Sequence, residues 1–219
     1  MSPTGEQHPA QVSGLGDVEI RPMTTRDMDA VCEVIGLAFA DNPSTLANVR
    51  GDRYRARKTM HDAVRIAKFG RPWSHALVAV HTGSIVGALN AAEWPHCQLS
   101  TVEKIKTAPS MIRIMGSALP KVFTMMSKRE AADPHEPHWH IGPVGVQPEL
   151  QGRGIGKALL DSFLAEIDEN QVAAFLETDV DRNVILYEKV GFSVTSRREI
   201  VGVDTRFMWR EPRTSRSSK

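Results

Sequence analysis

The stretch QGRGIGK, residues 151–157, carries glycine at 152, 154 and 156 immediately ahead of an apolar helical pattern. Three glycines so close together cost conformational entropy, and a backbone that has to touch an anion is one reason to bear that cost. Successive N–H groups of residues 151–157 can face a single phosphate while the dipole of the following helix adds partial positive charge. Arg153 and Lys157 can add charge near the same site. An ordinary strand-to-helix turn is the other reading. A Walker loop is excluded, because Gln151 stands where its first glycine would be and Ala158 stands where its magnesium-binding hydroxyl would be. A dinucleotide fingerprint is excluded because Lys157 occupies the position of its third glycine. A pyrophosphate held without magnesium remains, and coenzyme A presents one.

Other residues could move protons. Glu177 closes an otherwise apolar run, VAAFLET (172–178), where a carboxylate needs a partner or a task. A structural salt bridge, for instance with Arg182, is the alternative. His138 and His140 alternate with Trp139 and so share one face of a strand. They can line a cleft, carry a water chain, or serve as hydrogen-bonded pocket walls. Two histidines at this spacing also raise the question of a metal, but no third ligand follows at a convincing spacing, so no metal site is expected. Asn183 and Tyr187 lie four apart and therefore on one helix face.

These residues need elements to hold them. Val18 and Ile20 alternate as in a strand, and Thr24 or Thr25 can cap a helix whose apolar positions run from Met28 to Phe39. Residues 41–69 read as a charged, mixed segment with a second helix ending near Gly70. HALVAV (75–80) and SIVGALNAA (84–92) are strands joined by an HTG turn. Residues 93–137 contain five prolines between helical stretches and read as an insertion of one or two helices. HWHIGPVGV (138–146) is a strand. After the glycine loop, Ile155, Leu159, Phe163 and Ile167 form one wide apolar helix face, with Leu160 and Leu164 beside them. A strand at 172–178, a helix at 182–190 stopped by Gly191, and two final strands complete a mixed α/β sheet covered by helices.

Composition sets the bounds. The 219 residues, 41% hydrophobic and 24% charged, suit a single folded domain, expected over residues 17–211 with polar tails at 1–16 and 212–219. A net charge of +1 gives no electrostatic reason for a nucleic-acid or membrane partner. RGDRYRARK (50–58) reads as a solvated helix face, and the Met-rich stretch 111–126 as packing of the insertion. The two cysteines, Cys32 and Cys97, match no paired motif. With no signal-peptide pattern and no long apolar run, the expected location is the cytoplasm.

VGVQPELQGRGIGKALL resembles the acetyl-CoA signature of the GNAT superfamily of N-acetyltransferases, in which a Q/R-x-x-G-x-G/A loop leaves a strand and opens a helix. FLET (175–178) and RNVILYEKVGF (182–192) are similar to the segments that follow that signature. A closer similarity, to puromycin N-acetyltransferase-like members, lies in LAFADNP (37–43), EPHWHIGPVGVQPELQGRGIG (136–156), VAAFLETDVDRN (172–183) and YEKVGFSVT (187–195). The resemblance implies the GNAT fold with a helical insertion before the cofactor strand, and acetyl-CoA as co-substrate.

It also implies roles. Val144, Gly145 and Val146 take the pantetheine arm and one N–H meets the thioester carbonyl. Gln151, Gly152, Arg153, Gly154, Ile155, Gly156 and Lys157 take the pyrophosphate, and Asn183 is a cofactor contact. Tyr187 is the general acid; a phenol of pKa ~10 is reasonably matched to a thiolate of ~8.5. Glu177 and His140 are the candidates for handling the proton of the amine. The expected activity is N-acetylation of a primary amine, an aminonucleoside or antibiotic-like small molecule, by direct transfer in a ternary complex. A protein or peptide amine acetyltransferase and a non-catalytic acyl-CoA sensor are the rivals. A monomer or homodimer is expected.

Overall fold

The computed structural model describes residues 9–12, 16–67, 69 and 71–213. In chain order the elements are β1 (Pro9–Val12), β2 (Gly16–Pro22), α1 (Met28–Ala38), α2 (Pro43–Asn48), α3 (Arg53–Ala67), β3 (Ser74–His81), β4 (Ser84–Glu93), α4 (Thr101–Met115), α5 (Leu119–Glu130), β5 (His138–Val146), α6 (Ile155–Glu169), β6 (Ala173–Thr178), α7 (Asp181–Lys189), β7 (Ser193–Ile200) and β8 (Val203–Arg210). They build one 8-stranded sheet in the order β1-β2-β3-β4-β5-β6-β8-β7. Every neighbouring pair is antiparallel except β5 and β6. This is the mixed α/β class expected.

Helices cover both faces because each strand alternates its side chains between two cores. On one face Ile155, Leu159, Leu160, Phe163, Leu164 and Ile167 of α6 pack on Leu77, Leu89, Ile141, Ala174 and Leu176. On the other, Val31, Cys32 and Ile35 of α1 and Val64 of α3 pack on Val78 and Ala88. Further along that second face Phe175, Phe207 and Ile200 lie beneath Met125 of α5. The insertion thus extends the α1/α3 layer, with its own small core of Met115, Ala118 and Val122. Among the described residues no helix is long and apolar enough to cross a membrane.

Several expectations need correction. Residues 9–12, assigned to a polar tail, pair with β2, whose edge offers unpaired N–H and C=O groups to any extended segment. At the other end the Arg213 N–H donates to Asp168 at 2.9 Å, so the fold continues past residue 211. Residues 1–8 and 214–219 lie outside the described residues. Residues 41–69 hold two helices, since Asn42 caps Pro43 through the Thr45 N–H at 3.0 Å and left-handed Arg50 and Gly51 turn the chain before α3. Gly70, the expected helix stop, is not among the described residues. The HTG turn does form, with Thr82 and Gly83 at φ 48° and 78°.

Gly145 has a packing reason that its sequence context hid. A Cβ there would lie 2.7 Å from Ile35 Cδ1 and 3.0 Å from Ala38 Cβ, so α1 presses directly on β5. We expect Gly145→Ala to cost about 1–3 kcal/mol by overpacking, read from denaturant unfolding. An unchanged stability would mean that α1 does not sit this close.

Candidate active site

The site begins where β5 and β6 part. They pair only through residues 138–140 with residues 173–175, after which β5 runs on to Val146 and β6 to Thr178 without a shared register. The cause lies on β5. Leu89 faces Val144 and Ala91 faces Ile141, so Gly142 and Pro143 together oppose Asn90, which is a bulge. The bulge bends the strand, and Asn90 Nδ2 reaches the Gly142 carbonyl at 3.5 Å. Past His140, the edge of β5 that carries Val144, Gly145 and Val146 has, among the described residues, no strand beside it on the β6 side, so it can take up an extended arm as a further strand would.

The glycine loop lies at the end of that edge. Gly152 and Gly154 have φ of 78° and 95°, a left-handed backbone that a side chain would strain. The Gln151 N–H is used at 3.3 Å by the Pro148 carbonyl, and Ala158 starts the helix by donating to Gly154 at 2.9 Å. Between them, among the described residues, the N–H groups of residues 152–157 make no backbone hydrogen bond, including the first-turn amides of Ile155, Gly156 and Lys157. Those amides and the helix dipole suit an anion. The Gln151 side chain is spent on structure: its Nε2 donates to the Val146 carbonyl at 3.0 Å and its Oε1 accepts from Arg182 at 2.9 Å. Lys157 shares its charge with Asp161 one turn on, at 2.5 Å. Arg153 is exposed beside the loop, and the Ile155 side chain belongs to the core.

Tyr187 lies in the core on the α6 face of the sheet, and Glu177 makes its contacts on the α5 side. Tyr187, on α7, is 7% exposed and packs edge-on to Phe192 with centroids 6.0 Å apart. Burial, with the charge of Glu177 adding to it, pushes its phenol well above the usual tyrosine range, so the hydroxyl keeps its proton at neutral pH. Asn183 lies one turn earlier on α7, partly buried. Arg182 is hydrogen-bonded to Gln151. Glu177 Oε2 accepts from His140 Nε2 at 2.7 Å and Glu177 Oε1 lies 3.4 Å from Arg129 of α5. Arg129 also holds buried Asp179 at 3.0 Å, and Asp179 accepts from Thr205 at 2.7 Å. The partner sought within five residues is instead supplied by the insertion.

A second cluster lies directly behind His140. Asp133, just after α5, accepts from His140 Nδ1 at 2.8 Å and from the Cys97 thiol at 3.2 Å, and lies 3.7 Å from His138 Nε2. His138 Nδ1 donates to the Glu136 carbonyl at 2.7 Å, while its buried Nε2 has no hydrogen-bond partner. Burial alone would keep both imidazoles neutral. The nearby Asp133 carboxylate and Cys97 thiol, together with the bond to the Glu136 carbonyl, outweigh it for His138, pushing it up to about 9. For His140 the charge of Glu177 and the bonds to Asp133 and Cys97 raise the pKa well above the ordinary value. Burial likewise opposes ionisation of Asp133, yet the two histidines hold it far below the carboxylate range. The cluster therefore attracts positive charge. Neither Cys97 nor Asp133, nor Arg129 in the insertion, was singled out from sequence; the only signal for them was their position flanking or ending helices next to HWH.

The family model of the Acetyltransferase (GNAT) family matches residues 44–192, from α2 through α7. The chain belongs to that family. In GNAT enzymes acetyl-CoA is the acyl donor. Within curated proteins, a mycothiol acetyltransferase of Propionibacterium freudenreichii subsp. shermanii is 38% identical over 63 residues, 27% of this chain; the chain spans only 20% of that relative's length. Among solved structures, a histone acetyltransferase HPA2-related acetyltransferase from Corynebacterium glutamicum superposes with TM-score 0.64 at 21% identity, over 90% of this chain and 97% of that one. The Drosophila melanogaster polyamine N-acetyltransferase, which forms N-acetylagmatine, superposes with TM-score 0.59 at 14% identity, over 89% of this chain and 100% of that one. At these identities the superpositions establish a shared GNAT fold.

Proposed function

We propose that the chain transfers the acetyl group of acetyl-CoA to a primary amine of a small molecule, by direct attack within a ternary complex. The observation that carries this reading is the split between β5 and β6, which among the described residues leaves the edge of residues 144–146 without a strand a few positions ahead of the uncommitted amides of residues 152–157. The pyrophosphate lies against those amides, with Arg153 and Lys157 nearby, and the pantetheine arm extends along Val144, Gly145 and Val146. Asn183 flanks the arm from α7. Gln151 shapes the loop through its side chain and does not bind the phosphate with it.

In the reaction the amine nitrogen attacks the thioester carbonyl and loses its proton towards Glu177. The carbon–sulfur bond then breaks, and the thiolate takes the proton of Tyr187. A water-excluded thiolate is itself more basic than in bulk, which offsets the raised pKa of the phenol. His140 and Arg129 act as positioning residues that hold the Glu177 carboxylate in place. The acceptor faces a wall from α2 and α5, where Asn48 and Met125 meet at 3.3 Å. The neighbouring fold of a polyamine acetyltransferase and the resemblance to puromycin N-acetyltransferase-like members both favour a small amine, of aminonucleoside or antibiotic-like type. Fold likeness is a weaker guide to substrate than the site.

Two measurements test this reading. Product mass after incubation with acetyl-CoA, over a panel of aminonucleosides, polyamines and peptides, should gain one acetyl group on a small amine; acetylation confined to peptides contradicts the small-molecule assignment. Gly154→Ala forces an alanine into the left-handed region and should cost about 1–2 kcal/mol of stability. The variant should also bind coenzyme A more weakly by calorimetry, because the first-turn amides move. Unaltered coenzyme A affinity in a folded Gly154→Ala protein would remove the loop from the phosphate site.

A further inference from the structure

We propose that Cys97, Asp133, His138 and His140 form a structural zinc site that fastens the α4–α5 insertion to the central strand β5. One donor atom from each of the four side chains lies within 4.8 Å of the other three. At zinc bond lengths of 2.0–2.3 Å, tetrahedral edges between N, O and S donors run roughly 3.3–3.6 Å. The separations from Asp133 Oδ1, 2.8 Å to His140 Nδ1 and 3.7 Å to His138 Nε2, bracket that range, and the other carboxylate oxygen, Oδ2, lies 3.2 Å from Cys97 Sγ. Small side-chain shifts complete the shell.

The hydrogen bonds of the two histidines fit a metal site independently of these distances. A metal-ligating histidine donates its other ring N–H to a carboxylate or backbone carbonyl, which fixes the tautomer and aims the lone pair. His138 does this through Nδ1 to the Glu136 carbonyl, leaving Nε2 buried, without a hydrogen-bond partner, and directed at the cluster. His140 does it through Nε2 to Glu177, leaving Nδ1 directed at Asp133. The His138 side chain is 0% exposed and that of Asp133 7%, so their polar atoms have little access to water.

The donor set selects the ion. One thiolate, one carboxylate and two neutral imidazoles suit Zn²⁺ in tetrahedral coordination, and their two negative charges balance the dication. Binding releases the Cys97 thiol proton and the ring protons carried by His138 Nε2 and His140 Nδ1 before the ion enters, as ligation by thiolate and neutral imidazole requires. Four protein ligands leave no open position, which is the pattern of a structural ion.

The topology gives the ion a task. Cys97 precedes α4 and Asp133 follows α5, 36 residues apart, while both histidines come from β5. The ion would close the insertion at its base and orient His140, and through it Glu177.

The test uses the full chain stripped with chelator and then titrated with Co²⁺ or Zn²⁺ alone. We expect one equivalent of Co²⁺ with tetrahedral visible bands and a thiolate charge-transfer band, and a higher unfolding temperature with Zn²⁺. Cys97→Ser, checked for folding by circular dichroism, should lose the charge-transfer band and bind on the order of 100-fold more weakly. Absence of tetrahedral bands in the wild-type protein, or a charge-transfer band that survives in Cys97→Ser, overturns the site. Neither readout depends on acetyl transfer: metal binding without turnover contradicts the enzymatic reading alone, and turnover without metal binding contradicts the zinc site alone.

Discussion

Tyr187→Phe should lower the turnover number by roughly 10²–10⁴-fold while leaving the affinity for acetyl-CoA nearly unchanged. The ring is buried in the core formed by α6, α7 and the sheet, and phenylalanine keeps that packing. What it removes is one hydroxyl, held protonated by burial and by the charge of Glu177. If that hydroxyl supplies the proton to the departing thiolate, the loss falls on the chemical step and not on binding, so kcat and kcat/KM drop together. The measurement is steady-state kinetics at saturating acetyl-CoA beside a calorimetric binding constant for coenzyme A. An unchanged kcat would return Tyr187 to a packing role.

Glu177→Gln should produce a loss of similar size, roughly 10²–10⁴-fold in kcat/KM for the amine. The amide keeps the shape and can still accept from His140, but it cannot take a proton. The same change leaves Arg129 with one carboxylate partner fewer, and Arg129 Nε already lacks a hydrogen bond. A lower unfolding temperature is therefore expected as well. Comparing rates at a temperature where circular dichroism shows the variant folded separates the two effects. Full activity in a folded but less stable Glu177→Gln protein would make the carboxylate structural.

What could be read from the sequence was local. The face of α6 follows from apolar spacing at residues 155, 159, 163 and 167, and all four are buried. The turn between β3 and β4 follows from HTG, and the stop after α7 from Gly191, which adopts φ of 101°. The glycines at 152 and 154 marked the loop before α6, and the structure adds that both adopt a left-handed backbone that few other residues tolerate.

What could not be read depends on contacts distant in the chain. Arg182 is the expected partner of Glu177 because it is near in sequence, whereas α5 brings Arg129 to it across 47 intervening residues of strand, loop and helix. Nothing in the spacing of His138 and His140 points to Cys97 or Asp133, because a ligand set assembled by the two ends of an insertion has no fixed interval. Gly145 looked like room for a cofactor; its neighbour is Ile35 of α1, a contact visible only after the helix is docked. The strand at residues 9–12 was obscured by its Gly- and Pro-rich surroundings, since an edge strand needs only a free edge and no alternating pattern.

The central claim is that the acetyl group passes directly from coenzyme A to an amine in the split between β5 and β6. Thiol release from acetyl-CoA, followed with and without a primary amine, tests it most directly. The account predicts release only when an amine is present, one thiol for each acetylated amine. Tight coenzyme A binding with no release for any amine would contradict catalysis and favour an acyl-CoA sensor, and one equivalent of thiol released without amine would contradict direct transfer.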